Sequence, residues 1–445
     1  MSNSPTEVIE RINDFLWGIP VLILIIGGGI YLSAKLRFAQ IHIIRILKST
    51  VSSLRSHEVS ENGVTPFQSF STALAATVGT GSVAGVGAAL AAGGKGAVFW
   101  MWVSAFIGMG ISYCENRLGA KYGKQKGKCG AVSYLEKIGK GRTLAIIYAV
   151  FTVLASLGMG NMVQANAAVS AGKTGLGLSP YILAIGVLLF TAFTIAGKCS
   201  AAKLCEKLVP LLALLFIGGS LAVIVINPIR SAQALKDIVL CAFSPKAFIG
   251  GGIGTVCMEG IRRGAFSHEA GLGSTVAVNS SCNASNTDNA SNADNVCMEE
   301  NPGIMGMAEV FIDTMVICTL TAVVIIISGV PLTADSAVKG YSHLLGSVGQ
   351  GFISVSLMLF ALATIAGWFF IGEKAWLYIS GRHETLAYRI IFLICAYLGA
   401  VHNPSLVWGI SDIFNGLMAL PNMAGVLILS KEISPPVFEN TKRSI

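Results

Sequence analysis

Residues 67–92 read FQSFSTALAATVGTGSVAGVGAALAA, and the interruption in this stretch decides the fold. Its length and apolar flanks suit a membrane span. Val78-Gly79-Thr80-Gly81-Ser82 in its middle continue a helix poorly, because two are glycines and two carry small hydroxyls. Unwound backbone inside hydrocarbon persists only where protein or a polar cavity pairs its N–H and C=O groups. A span that breaks at its centre is therefore a candidate binding site. The stretch 250–281 carries a second interruption, expected at Gly264-Ala265-Phe266-Ser267-His268. Two broken segments at corresponding positions of two halves point to a transporter's site. The expectation is that the breaks face each other and hold a small zwitterion with its coupling cation.

Composition excludes several other classes. Of 445 residues, 53% are hydrophobic and only 12% charged, about half the charged share of a soluble domain. The mean hydropathy of +0.69 agrees. A polytopic, all-α membrane protein follows. Ten cysteines are scattered without CxxC spacing and read as small core hydrophobes, not disulfides or metal ligands. No HExxH, GxxxxGK[ST] or GxSxG pattern occurs. The expectation is thus no enzyme and no cofactor, with energy drawn from an ion gradient. The apolar run from Phe15 to Ala34 is too long for a cleavable signal core and reads as a retained first span.

Apolar runs near the bilayer-spanning length number eleven. A peripheral helix at 15–35 precedes ten core spans, at about 66–92, 96–120, 142–171, 179–197, 206–227, 247–281, 303–329, 351–380, 386–401 and 404–430. The layout divides the chain into 1–62 (peripheral helix and basic loop), 63–227 (first five-helix repeat), 228–430 (second repeat) and 431–445 (tail). Five spans per repeat invert the second repeat against the first. Connections alternate in charge. One side carries 21 Lys and Arg, including Lys35, Arg45, Lys121 and Lys431, and the other seven, including Lys95, Arg230 and Lys339. The excess marks the cytoplasmic side, which puts the N-terminus outside, the C-terminus inside and the protein in the cell membrane. The +8 net charge is then a topology signal and requires no nucleic-acid partner. The acidic, asparagine-rich loop 279–301 lacks Lys and Arg and reads as flexible and solvated.

Each break ends two half-helices, whose free N–H and C=O groups present opposite partial charges. A substrate carboxylate suits the N–H groups around Thr80, Gly81 and Ser82. The carbonyls of Thr77, Val78 and Gly79 suit sodium or an ammonium, and Thr364 offers a hydroxyl to complete the cation shell. Small-residue packing accounts for Gly85 and Gly87. Asn161 and Gln164 lie three apart on one helix face; Gln164 is the expected ligand contact, with interhelical hydrogen bonding as the competing reading. Trp368, one turn past Thr364, either walls the pocket or anchors at the lipid interface. Glu115, Glu259, Arg262, Arg263, Glu269, Asp313 and Asp412 are intramembrane charges, expected mostly as ion pairs or hydrogen-bond anchors. His268, inside the expected second break, is the candidate for proton coupling or gating, alongside Asn161.

At these motifs the chain resembles the sodium:alanine symporter family (alanine or glycine:cation symporters). The resemblance rests on TALAATVGTGSVAGV (72–86), GAVFWMWVSAFIGM (96–109), GNMVQANA (160–167), RGAFSHEAGLGS (263–274), GMAEVFIDTMVICTLTA (306–322) and TIAGWFFIGEKA (364–375). It implies a LeuT-like five-plus-five inverted repeat with discontinuous core helices 1 and 6, one extra N-terminal helix, and sodium-coupled uptake of alanine or glycine. It also implies substrate contacts at Thr80 and Gly81, at Gln164, at Phe266 and Ser267, and at Trp368; Gly79 and Ser82, flanking the first pair, are expected to contact substrate as well. The chain departs from the family pattern at Ser82 and His268, each standing where an asparagine is usual. Alternatives are the same fold carrying glutamine or coupled to protons, and, from other classes, a channel or a non-transporting amino-acid sensor.

Overall fold

The computed structural model describes residues 5–55, 65–123, 130–139, 141–197, 201–243, 254–280, 292–333, 335–381 and 384–438. Residues 281–291 of the expected loop 279–301 lie outside them; the rest is not a solvated loop, since Asn279 and Ser280 are buried and Asn292–Val310 is helix, with Glu300 buried. Among the described residues there is helix and turn but no strand.

The principal helices are α1 (Thr6–Lys35), α2 (Ile43–Leu54), α3 (Pro66–Thr77), α4 (Gly81–Gly93), α5 (Ala97–Tyr122), α6 (Gly141–Leu176), α7 (Pro180–Ile195), α8 (Ala201–Ile226), α9 (Pro228–Ala242), α10 (Thr255–His268), α11 (Val276–Asn279), α12 (Glu300–Ser328), α13 (Ser336–Ser380), α14 (Leu386–Val401) and α15 (Pro404–Ile428). Seven are long and apolar enough to cross a membrane. An eighth span is the bent pair α3 and α4, which meet at 42°. The apolar helices α7 and α14 are shorter. Leu211, Leu214, Leu215, Val225, Ile185 and Leu189 are exposed on α7 and α8. Such an apolar outside suits helices that face lipid.

Both breaks lie at the centre of the packing. The α3/α4 pair contacts α8, α10, α12 and α13, while α6 packs along α13 and α10 lies against α5. The start of α3 is fixed by a capping box. The Thr65 hydroxyl accepts from Gln68 N–H, the Gln68 side chain accepts from Thr65 N–H, each at 3.2 Å, and Pro66 takes the first helical position. The helix α13 is two helices joined at Gly346, whose φ of +63° only glycine adopts freely.

Candidate functional site

The first break falls where the sequence places it. Val78 leaves the helix with φ −76° and ψ 84°, and Gly79 N–H donates to Thr77 O at 2.9 Å. Together these are an inverse γ-turn, which stops α3 in three residues. The chain re-enters helix through a wide π-turn over Gly81–Gly85. The amide oxygen of Gln164 accepts from Thr80 N–H at 3.3 Å and from Thr80 Oγ1–H at 3.0 Å. Its Nε2 donates to Met159 O at 3.1 Å, which fixes the amide's orientation. The Thr364 hydroxyl donates to Ala75 O at 2.8 Å, and a Cβ built on Gly79 would collide with Thr364 Oγ1. Glycine at 79 is thus what lets that hydroxyl reach the break. Thr77 turns its own hydroxyl back to the carbonyls of Ala73 and Leu74, each at 3.3 Å.

The second break lies a few residues beyond its expected place. Gly264 to His268 form the last turn of α10, and Gly264 is there to pack: a Cβ on it would meet Ser104 Cβ at 2.9 Å. The helix unwinds over 269–275 instead, with left-handed φ at Glu269 (+55°), Gly271 (+92°) and Gly273 (+71°), and the chain runs on along α5, with Gly264 beside Ser104 and Val276 beside Gly119. Glu115 and Asn422 stitch this turn. Glu115 accepts from Gly271 N–H at 3.4 Å and from Asn422 Nδ2–H at 2.8 Å, and Asn422 also donates to Gly271 O at 2.8 Å. Glu269 accepts from Trp368 Nε1–H at 3.0 Å and from Ser274. Trp368 is fully buried against Gly160, so it is no interfacial anchor.

The first break touches the last turn of α10, just before the second break. A Cβ on Gly81 would stand 3.3 Å from Ser267 Cα and 3.4 Å from the Phe266 ring. Ser82 and Ser267 bring their hydroxyls to 3.4 Å, and both donate to the carboxylate of Asp313 on α12. The structure therefore gathers Gly79, Thr80, Gly81, Ser82, Gln164, Phe266, Ser267 and Thr364 around the first break, with Trp368 one layer away on Glu269. Two residues point elsewhere. Asn161 donates to Phe392 O at 2.6 Å, an interhelical bond. His268 accepts at Nδ1 from Ala270 N–H at 3.1 Å, so its Nε2–H faces Ser104 Oγ at 3.0 Å.

Above Phe266 stands Trp408, stacked on it with ring centroids 5.0 Å apart, and Arg263 covers Trp408 at 5.4 Å. Arg262 pairs with Asp412 at 2.6 Å and with Glu259 at 3.6 Å, and Arg263 with Asp412 at 3.5 Å and Glu259 at 3.7 Å. These are the ion pairs expected of four of the intramembrane charges. A cleft of about 550 Å³, lined among others by Ala88, Asn166, Arg263, Asp335 and Trp408, ends on this aromatic and charged layer. Sequence reasoning did not single out Trp408, since nothing local distinguishes it from any interfacial tryptophan. It had Asp313 only as one charge among seven. The available signal was a lone acid inside the apolar run 310–327.

A broken-helix membrane architecture with a buried polar centre defines a transport protein, and comparison with known proteins narrows the class. Residues 1–442 match the sodium:alanine symporter family. The chain belongs to that family. It is 36% identical to the sodium/alanine symporter AgcS of Methanococcus maripaludis, over 95% of this chain and 94% of the relative. It is 33% identical to GlnT of Bacillus subtilis, provisionally named a sodium/glutamine symporter, over 98% and 92%. It is 30% identical to YrbD of Bacillus subtilis, provisionally named a sodium/proton-dependent alanine carrier, over 96% and 90%. Among solved structures, a manganese transporter of Eremococcus coleocola is similar in fold, with a TM-score of 0.57 at 14% identity over 85% and 82% of the two chains. At that identity the likeness concerns the fold alone.

Proposed function

We propose that this chain imports a small neutral amino acid, alanine or glycine, together with sodium by alternating access. The contact of Gly81 with Phe266 and Ser267 carries the reading. So close an approach of the first break to the end of α10 favours a substrate with a small side chain. The substrate carboxylate takes the N–H groups of Gly81 and Ser82, beside the Thr80 that Gln164 holds, a positive helix end suited to an anion. Sodium, which favours hard oxygen donors, is met beside Gly79 by Thr364 and the carbonyls of Thr77 and Val78. The Phe266–Trp408 stack and the Arg262–Asp412 pair form the thin barrier toward the cleft. Eleven spans, a five-plus-five inverted repeat, an outside N-terminus and a cytoplasmic C-terminus complete the proposal, and they place the cleft outside. Family membership and the name of the AgcS relative support sodium and alanine.

The test is uptake of alanine, glycine and glutamine into proteoliposomes with an inward sodium gradient, a pH gradient, or neither. Alanine or glycine uptake that needs sodium is expected. Glutamine as the preferred substrate, or uptake driven by pH alone, would contradict the reading.

A further inference from the structure

We propose that α2 lies in the membrane surface and binds the headgroups of anionic phospholipids through Arg45, Lys48 and Arg55, with Arg37 beside them. The helix follows directly on a span. α1 ends at Lys35, and Phe38 N–H closes it by donating to Ser33 O at 2.8 Å. Arg37 and Phe38 both take left-handed φ, at +55° and +52°. Two such residues in a row, neither a glycine, are unusual; the turn stops the span abruptly. A short 3-10 turn over Ala39–His42 leads into α2 at Ile43, so the helix lies near the depth where acyl chains give way to headgroups. In the proposed topology this is the cytoplasmic leaflet.

Three faces run along α2. Ile46 and Thr50 are buried, and the helix Asn292–Val310 and α3 pack against α2. At 100° per residue, Ile44 and Val51 fall together beside that buried face. They are 68% and 49% exposed, and Phe38 and Ile41 in the preceding turn are exposed as well. Arg45, Lys48 and Arg55 follow on the far side of this apolar strip, spaced three and seven apart, all exposed.

A helix facing water would carry polar groups where Ile44 and Val51 stand. An apolar strip flanked by cations is instead the pattern of a helix lying in the interface plane. The cations are also unspent. Among the described residues the ion pairs do not include Arg37, Arg45, Lys48 or Arg55, and the sequence has no Asp or Glu between Asp14 and Glu58. Arginine suits a phosphate because its guanidinium offers two parallel N–H donors. A second copy of this chain would bring like charges together on this face. Free phosphate would leave the apolar strip in water. A phospholipid meets both, with acyl chains on the strip and phosphate on the cations.

The experiment is native mass spectrometry of the purified full-length chain, titrated with phosphatidylglycerol or phosphatidylcholine of matched acyl chains. Wild type should bind phosphatidylglycerol more tightly. The triple variant Arg45→Gln, Lys48→Gln, Arg55→Gln should bind it at least tenfold more weakly, since each surface cation contributes about fivefold, with phosphatidylcholine unchanged. The double variant Ile44→Ser, Val51→Ser should weaken phosphatidylglycerol about tenfold through lost apolar burial. Phosphatidylglycerol bound equally well by wild type and the triple variant overturns the inference, and an unchanged affinity in the double variant overturns the interfacial placement. Displacement of the lipid by excess inorganic phosphate would assign the cations to a free anion and also overturn it. Should the triple variant fail to run as a monodisperse species, Arg45→Gln alone serves; it should weaken phosphatidylglycerol about fivefold, and no change would contradict the site.

Discussion

At the residue scale, binding turns on which groups satisfy the peptide bonds freed at Val78 to Ser82. Gln164 caps Thr80 with one oxygen accepting two hydrogens. Its replacement by alanine leaves the Thr80 N–H buried and unpaired, a cost of about 1–3 kcal/mol. It also removes the group that holds the break in shape before substrate arrives. Gln164→Ala should therefore lower alanine affinity at least tenfold, measured as half-saturation of sodium-driven uptake; an unchanged value would remove Gln164 from the site. These residues were readable in the sequence because Gly-Thr-Gly-Ser inside an apolar run costs a membrane helix its continuity. Asp313 and Trp408 were not, because their meaning comes from partners far away in the chain: Ser82 lies 231 residues before Asp313, and Phe266 packs on Trp408 from another helix. His268 was readable as unusual but not as satisfied. Its bonds to Ser104 and Ala270 depend on α5 lying alongside α10.

At the scale of elements, the two broken spans break by different means. The first uses a single inverse γ-turn and a π-turn, with no left-handed residue. The second uses three left-handed residues in five, two of them glycines. The sequence pointed to Gly264 because glycine in a polar stretch suggests unwinding, but a glycine also serves where a neighbouring helix comes close, as Ser104 does here. Backbone sign separates the two uses, and composition does not reveal it. Gly273 is the sharper case. With φ at +71°, a Cβ would sit 2.5 Å from Asn422 Oδ1, the atom that accepts from Tyr134. Left-handed strain alone costs roughly 1–2 kcal/mol, and displacing Asn422 disturbs Glu115 as well. Gly273→Ala should lower the thermal unfolding midpoint of the detergent-solubilised protein by several degrees, whereas Gly177→Ala, at the end of α6 with open space around it, should lower it less. Equal losses would show that the turn is not held by Asn422.

At the scale of the whole molecule, one side of the buried centre is approached by a cleft and the other is packed. The packed side holds Glu115, Asn422, Tyr134 and Tyr148 around the second break, with Tyr148 donating to Leu272 O at 2.9 Å. In the proposed topology this is the cytoplasmic seal, and import requires it to open while the cleft closes. The cleft has its own fixed charge. Burial disfavours the ionised form of Asp335, but hydrogen bonds from Thr333 and Lys339 outweigh it and hold the carboxyl below its ordinary value. A lowered folded value means that its stabilising contribution is in place above the ordinary carboxylate range and is lost only as pH falls through that lowered value. Asp335 accordingly stays ionised from about pH 5 to 8. Asp335→Asn should leave the shape of the uptake–pH profile unchanged over that range, and a profile that shifts would show that the cleft titrates.

The central claim is that one small solute is gripped where the first break meets the end of α10, and Gly81 marks the meeting point. Valine there places a Cβ 3.3 Å from Ser267 Cα and drives its methyl groups into the Phe266 ring. Equilibrium binding of alanine to purified wild type and Gly81→Val, in saturating sodium, is the measurement. The predicted result is saturable binding to the wild type and at least a hundredfold loss in the variant, with its thermal unfolding still cooperative. Alanine bound equally well by both would contradict it.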